Sequence, residues 1–284
     1  MQWARDRKPS TTSNNASNTN GKGKYVLATG EAAANRLRIL HSVYGPGARR
    51  VLLDAGIRPG MRVADVGSGT GMVTQLLAQL VGATGEVVGI DYSADQVEQA
   101  RALLPAGVSN VSFVNASATD TGLPRDSFDL VYSRFLLIHL TQPELALREM
   151  HGLLKPGGVL VIEDGDLTTA GSEPSSSLEA FSSLFGRLGP TWGVDYTLGR
   201  RLFQMVLAAN FASPQIAFNQ PVISKGEDKR LLELSVAEAG GAFIAAGLIT
   251  LSELVATLNS MNDLADDETV LALMPRMSQV WARK

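Results

Sequence analysis

The run Val63-Ala64-Asp65-Val66-Gly67-Ser68-Gly69-Thr70-Gly71 decides the architecture. Four residues of short apolar strand enter a glycine turn, and a helix pattern follows at once, with Met72, Val73, Leu76, Leu77, Leu80 and Val81 on one stripe. Glycine lets a backbone turn tightly and approach a ligand closely, because no Cβ intervenes. The turn reads G-x-G-x-G and not the G-x-G-x-x-G of dinucleotide binders. Asp65 stands just before it. That acid would repel a pyrophosphate and suits a cationic ligand.

Working outward, apolar strands alternate with helices. Strands are expected at Val63–Val66, Glu86–Ile90, Val111–Val114, Phe128–Tyr132 and Val159–Glu163. Ser93 to Gln96 and Thr141 to Glu144 read as capping boxes that open helices. Short apolar strands between helices imply a parallel sheet covered on both faces. Upstream, Glu31 to Tyr44 and Arg49 to Ala55 read as two helices, the second ending at Gly56. Downstream, the rhythm breaks after Asp166. Leu178–Arg187 and Leu198–Ala209 look helical, with Asn210 suited to a left-handed helix end. Leu231 to Leu258 reads as helix broken by Gly240 and Gly241, between final strands at Gln215–Asn219 and Met277–Trp281.

Asp91 closes the second strand, twenty residues past Gly71. A carboxylate at that point can accept both hydroxyls of a ribose. The other reading of such an acid is a helix cap or a surface group; the glycine turn favours the ribose.

With these residues in place, the chain resembles class I S-adenosylmethionine-dependent methyltransferases, in the branch of menaquinone and ubiquinone methyltransferases. The likeness rests on Asp65 to Gly71, Gly89-Ile90-Asp91, Leu123-Pro124, Ser127 to Val131 and Leu154-Lys155-Pro156-Gly157-Gly158. It is strong from Tyr25 to Glu163 and looser beyond. The resemblance implies an α/β fold: a Rossmann-like, mostly parallel seven-stranded sheet with helices on both faces and a helical cap insertion. It implies S-adenosylmethionine as cofactor, with Asp65 at its cationic part and Gly67 and Gly69 letting the backbone pass beneath the methionine portion. Asp91 would hold the ribose, Tyr92 would lie beside the adenine, Ser117 and Ala118 would sit at the adenine edge, and Ser133 would mark the strand end near the sulfonium. Many relatives carry Asp at the position of Ser117; a hydroxyl accepts less strongly than a carboxylate. Tyr25 and Arg36 resemble parts of a lid, Arg36 pairing with the cofactor carboxylate, against a packing role for Tyr25 and a surface role for Arg36.

The expected organisation is a disordered polar tail over residues 1–24, then one methyltransferase domain over 25–284. Within it, 25–56 form a helical lid and 167–200 a helical cap whose Leu178, Phe181, Leu184, Phe185, Leu188 and Trp192 line an apolar pocket or pack on the domain. Methyl transfer needs alignment first, and a general base only if the acceptor holds its proton. Glu163 and Asp164 are the candidate bases, with Asp166 nearby; solvated loop acids are the plain alternative. His41, His139 and His151 read as packing or surface residues.

The 284 residues, 45% hydrophobic and 19% charged, support a well-formed core. With no cysteine there is no disulfide, thiolate metal site or cysteine nucleophile. The three histidines are scattered, no calcium-loop pattern occurs, and no metal site is expected. The net charge is −3, and Arg5, Arg7, Lys8, Lys22 and Lys24 face only Asp6 in the tail. The body is therefore more acidic than the total, a poor match for nucleic acid. No apolar run suits a signal peptide or a membrane span, so a cytoplasmic location is expected. The expected acceptor is a small, largely apolar metabolite. The rivals are a protein that binds the cofactor without transferring methyl (pericyclic or scaffold) and a macromolecule methyltransferase. The sequence leaves the oligomeric state open.

Overall fold

The computed structural model of the protein describes residues 31–284. The tail and Tyr25 lie outside the described residues. The quoted apolar run forms β1 (Arg62–Val66), and its last four residues are buried, as a strand covered on both faces requires. It pairs in parallel with β2 (Glu86–Asp91) on one side and β4 (Phe128–Arg134) on the other. β3 (Val111–Asn115) extends the sheet beyond β2, and β5 (Leu154–Asp166) lies beyond β4.

Beyond β5, antiparallel strands break the parallel order. In chain order the remaining strands are β6 (Gly171–Glu173), β7 (Ala212–Asn219), β8 (Val222–Ile223), β9 (Leu271–Leu273) and β10 (Arg276–Arg283). β10 runs antiparallel between β5 and β7, giving the seven-stranded order β3-β2-β1-β4-β5-β10-β7. The three short strands form a second antiparallel sheet, β6-β9-β8, which the sequence reading did not anticipate.

The helices are α1 (Glu31–Asp54), α2 (Met72–Val81), α3 (Ala94–Ala102), α4 (Pro143–Leu153), α5 (Ala180–Trp192), α6 (Leu202–Ala208), α7 (Leu231–Ala245) and α8 (Leu251–Asp263). Alternation along the strands divides the core in two. Val63, Val87, Leu130, Tyr132 and Val161 pack with Val73, Leu77 and Val81 of α2. Ala64, Val88, Val131, Leu160 and Ile162 pack on the opposite face with Ala146, Leu147 and Met150 of α4. A period of two in the strands meets a helical stripe on each side.

Several local expectations change. The two N-terminal helices are one, α1, running through Pro46. Packing overrides the local break: Val43, Tyr44, Ala48, Val51 and Leu52 are buried along it, and the Tyr44 hydroxyl donates to the Pro275 carbonyl at 2.8 Å. A Cβ on Gly47 would stand 2.1 Å from the Asn219 side chain, so glycine there permits the close approach of α1 to β7. α7 also runs through Gly240 and Gly241; Gly240 gives room to Leu254 of α8, and the turn falls at Gly247, with φ +67°. Ser93 caps α3 through the Gln96 amide at 3.3 Å. Thr141 forms no such box, because α4 starts with Pro143 after Gln142. Asn210 does take the left-handed conformation, with φ +66°. No helix among the described residues is long and apolar enough to cross a membrane.

Candidate active site at the carboxyl ends of the strands

Between β1 and β4 the strand order reverses direction, and ligands of open α/β sheets bind outside the carboxyl ends at that point. A cavity of about 620 Å³ opens there, a volume suited to a small-molecule site. Its floor is the glycine turn. Gly67 has φ +80° and Gly69 φ +54°, the left-handed region that only glycine enters freely. A Cβ on Gly67 would press on Leu136 at 3.1 Å, so glycine permits the close approach of that side chain to the turn. The amides of Gly67 and Ser68 both donate to the Ile90 carbonyl, at 2.8 and 2.9 Å, which pins the turn to the end of β2.

Asp91 faces this turn. Its carboxylate accepts from the Gly69 amide at 2.8 Å and the Ser93 amide at 2.9 Å. Burial raises its pKa, and these backbone donors oppose the rise. Each oxygen keeps a second lone pair for a ligand hydroxyl. Tyr92, 59% exposed, stands at the rim. Ser117 and Ala118 also line the cavity, although the Ser117 hydroxyl is already engaged with Thr119 Oγ1 at 2.8 Å. Asp65 lies in the wall, 2% exposed, accepting from Thr74 Oγ1 at 2.6 Å. Burial pushes its pKa up to about 6.

Seven of the residues singled out from sequence therefore meet at one cavity: Asp65, Gly67, Gly69, Asp91, Tyr92, Ser117 and Ala118. Three do not line it. Ser133 is fully buried, and the wall is formed by the next residue, Arg134. Glu163 is fully buried and accepts from the Tyr132 hydroxyl and from Gln279 Nε2 at 2.6 Å. Asp164 is equally buried; it accepts from the Leu137 amide at 2.8 Å, and burial pushes its pKa up to about 7. Strands on both sides of β5 account for this enclosure. Asp166, nearby, is tied to Arg200 and to Thr168 Oγ1 at 2.6 Å.

The wall also holds His139, which the sequence reading took for a packing or surface residue, the expected Arg36, Phe181 and Phe185, and residues of α7 that the sequence reading did not single out. His139 ends a short 3₁₀ turn, Leu137–His139, that follows β4, and so belongs to a strand end after all. Its ring meets Tyr196 edge-on at 5.7 Å, and burial, with the nearby Arg36 charge, lowers its pKa to about 3. It is therefore neutral at pH 7. Arg36 lines the cavity but is ion-paired with Glu238, both side chains being buried. Phe181 and Phe185 face the cavity from α5, while Leu178, Leu184 and Leu188 pack behind them and Trp192 is half-buried. Leu231, Leu232 and Ser235 bring α7 to the same wall. Only the three-dimensional path of the chain places α7 there.

The donor set fits S-adenosylmethionine. It offers a ribose acceptor in Asp91, a narrow glycine floor with no Cβ, and an anionic residue, Asp65, for a cationic ligand. Residues 57–198 match the family model described as a methyltransferase domain, which is half of the chain. The chain belongs to that family. In sequence it is similar to ubiquinone and menaquinone methyltransferases. This methyltransferase is 37% identical over 164 residues to the ubiquinone/menaquinone biosynthesis C-methyltransferase UbiE of Pseudomonas aeruginosa, covering 55% of this chain and 62% of that protein. It is 41% identical over 113 residues to the demethylmenaquinone methyltransferase of Staphylococcus aureus, covering 40% of this chain and 46% of the relative. The chain thus spans less than two thirds of the length of these curated relatives. The YcgJ protein of Bacillus subtilis shares the fold, with a TM-score of 0.56 and 20% identity over 86% of this methyltransferase and 98% of that chain.

Proposed function

We propose that this methyltransferase moves a methyl group from S-adenosylmethionine to a small, largely apolar acceptor in the cytoplasm. One observation carries the reading: a single cavity joins the polar cradle of Asp91 and the glycine turn to apolar walls of Leu37, Leu40, Phe135, Leu140, Phe181 and Phe185. Asp91 holds the ribose, Tyr92 lies beside the adenine, and Ser117 and Ala118 border its edge. Asp65, Gly67 and Gly69 take the methionine portion. When bound, the cofactor supplies an electrophilic sulfonium methyl. The chain's own task is alignment and exclusion of water, which account for much of the rate in such transfers.

The names of the relatives point to quinone biosynthesis, and an apolar ring system matches the walls. A neutral His139 offers the acceptor's polar group a hydrogen bond. Its low pKa makes it a weak base, so it orients a hydroxyl better than it deprotonates one. Glu163 and Asp164, the bases expected from sequence, act in this reading through the Tyr132 and Leu137 contacts that hold the end of β4.

The test is formation of S-adenosylhomocysteine across a panel of quinols, phenols and polyketide-like aromatics. Turnover with apolar hydroxyaromatic acceptors is expected. Tight cofactor binding with no turnover anywhere would favour a protein that uses the cofactor without transferring methyl. Turnover confined to nucleic acid or protein would favour a macromolecular substrate.

A further inference from the structure

Arg36 enters the cavity wall from α1 with only part of its guanidinium engaged. It is 5% exposed, and its Nε donates to Glu238 of α7. Among the described residues nothing accepts from its two terminal nitrogens. The ion pair therefore holds the guanidinium in place and leaves donors for whatever fills the cavity. A guanidinium has donors and no acceptor, so it takes the lone pairs of a ligand oxygen, and those of an ionised oxygen most strongly. The surroundings put these donors at the apolar end of the site. Burial, with the Arg36 charge, lowers the pKa of His139 to about 3, so the two residues are neighbours. The His139 ring meets Tyr196 at 5.7 Å, and Tyr196 meets Phe185 of α5 at 5.3 Å. Ser235 lines the cavity one helical turn before Glu238 on α7.

The wall around Arg36 supplies no general base. Among the described residues its other titratable groups are Asp65, Asp91, Tyr44, Tyr92, Arg134 and His139. Both carboxylates stand at the glycine turn, where Asp65 accepts from Thr74 and Asp91 from the Gly69 and Ser93 amides. The Tyr44 hydroxyl donates to the Pro275 carbonyl, and His139 is too weak a base to take a proton from a hydroxyl. Glu238 is paired with Arg36 and is not part of the lining. A wall with cationic donors and no proton acceptor favours a substrate that has already lost its proton. We propose that the methyl acceptor is an acidic hydroxyaromatic or enol, bound as its oxyanion with that oxygen on the terminal nitrogens of Arg36. Its hydroxyl proton leaves to solvent on binding, and no side chain of the wall has to take it up. The inference rests on the proposed function, and it gives Arg36 to the acceptor and not to the cofactor carboxylate.

The test adds para-nitrophenol, whose phenol and phenolate absorb at different wavelengths, to the protein saturated with S-adenosylhomocysteine. Absorbance followed against pH gives the acidity of the bound probe. In the wild-type protein the bound probe should be at least about tenfold more acidic than the free one, the smallest gain expected beside a cation. Arg36→Gln should abolish that gain while the Kd for S-adenosylhomocysteine stays within about twofold. A bound probe no more acidic than the free one, or a gain that survives Arg36→Gln, overturns the proposal. So does a loss of S-adenosylhomocysteine affinity in Arg36→Gln, which would put the guanidinium on the cofactor. Removing Arg36 alone strands the buried Glu238 carboxylate. Should melting curves show that this variant does not fold, the double variant Arg36→Gln with Glu238→Gln takes its place under the same expectations. A protein that binds S-adenosylhomocysteine and no probe overturns this inference and leaves the cofactor in place. One that binds neither compound overturns the proposed function as well.

Discussion

Replacing Asp91 by alanine removes more than a ligand contact. The carboxylate accepts from the Gly69 amide at 2.8 Å and the Ser93 amide at 2.9 Å, so it ties the glycine turn to the first turn of α3 before any cofactor arrives. Two effects should therefore appear together. The loss of two hydrogen bonds to ribose hydroxyls should weaken cofactor binding by roughly 1.5–3 kcal/mol, or about 10- to 150-fold in Kd. The two backbone donors are only partly buried and can turn to water, so the free protein should lose about 1–2 kcal/mol, a few degrees in Tm. Asp91→Asn should fall between, since its amide keeps one acceptor oxygen and opposes a backbone donor with its NH₂. Titration calorimetry with S-adenosylhomocysteine and thermal melting of the same samples provide both numbers. Unchanged affinity in the alanine variant would refute the ribose assignment. So would an affinity loss fully explained by a collapse of the fold.

Three further outcomes follow from the site. Phe185 packs against Phe181, Tyr196 and Phe243 with ring centroids at 4.7, 5.3 and 5.1 Å, so Phe185→Ala should cost ~3–5 kcal/mol of stability by chemical denaturation. Phe185→Leu should stay folded and weaken acceptor binding more than cofactor binding; equal loss of both would refute its place at the acceptor end. Gly67→Ala should lose ~1–3 kcal/mol and cofactor affinity together, because its φ is +80° and the new Cβ meets Leu136 at 3.1 Å. The pH dependence of binding should reveal Asp65. Burial raises its pKa to about 6 in the free protein, and a cationic ligand favours the ionised form. Affinity should therefore be level above that pKa and fall as pH drops through it, by up to about tenfold per unit. Titrations at pH 5.5 and 8 check this, and Asp65→Asn should lose the fall.

The parallel half of the sheet was legible because each strand is a short apolar run with a clear boundary. The Val63–Gly71 turn and Asp91 marked residues that the structure brings to one cavity. Features fixed by tertiary packing were not legible. Pro46 reads as a helix break in isolation, yet the buried side of α1 carries the helix through it. Gly240 likewise reads as a break and is instead the space that Leu254 fills. The strands β6, β8 and β9 have two or three residues each, too few for any alternation to show. His139 was passed over because β4 continues to Arg134 and a 3₁₀ turn brings the histidine back to the cavity. Glu163 and Asp164 look available as acids at a strand end, but β4 and β10 flank them and both are fully buried, Glu163 accepting from Tyr132 and Gln279 and Asp164 from the Leu137 amide.

The central claim is that the glycine turn and Asp91 form a site for S-adenosylmethionine. The most direct measurement is titration calorimetry of the full chain with S-adenosylmethionine, S-adenosylhomocysteine and NAD, without added metal. The account predicts binding of the first two at about micromolar Kd, a free energy of about −8 kcal/mol, and no binding of NAD, whose pyrophosphate would face Asp65. Tight binding of NAD with no heat from either adenosyl compound would contradict it.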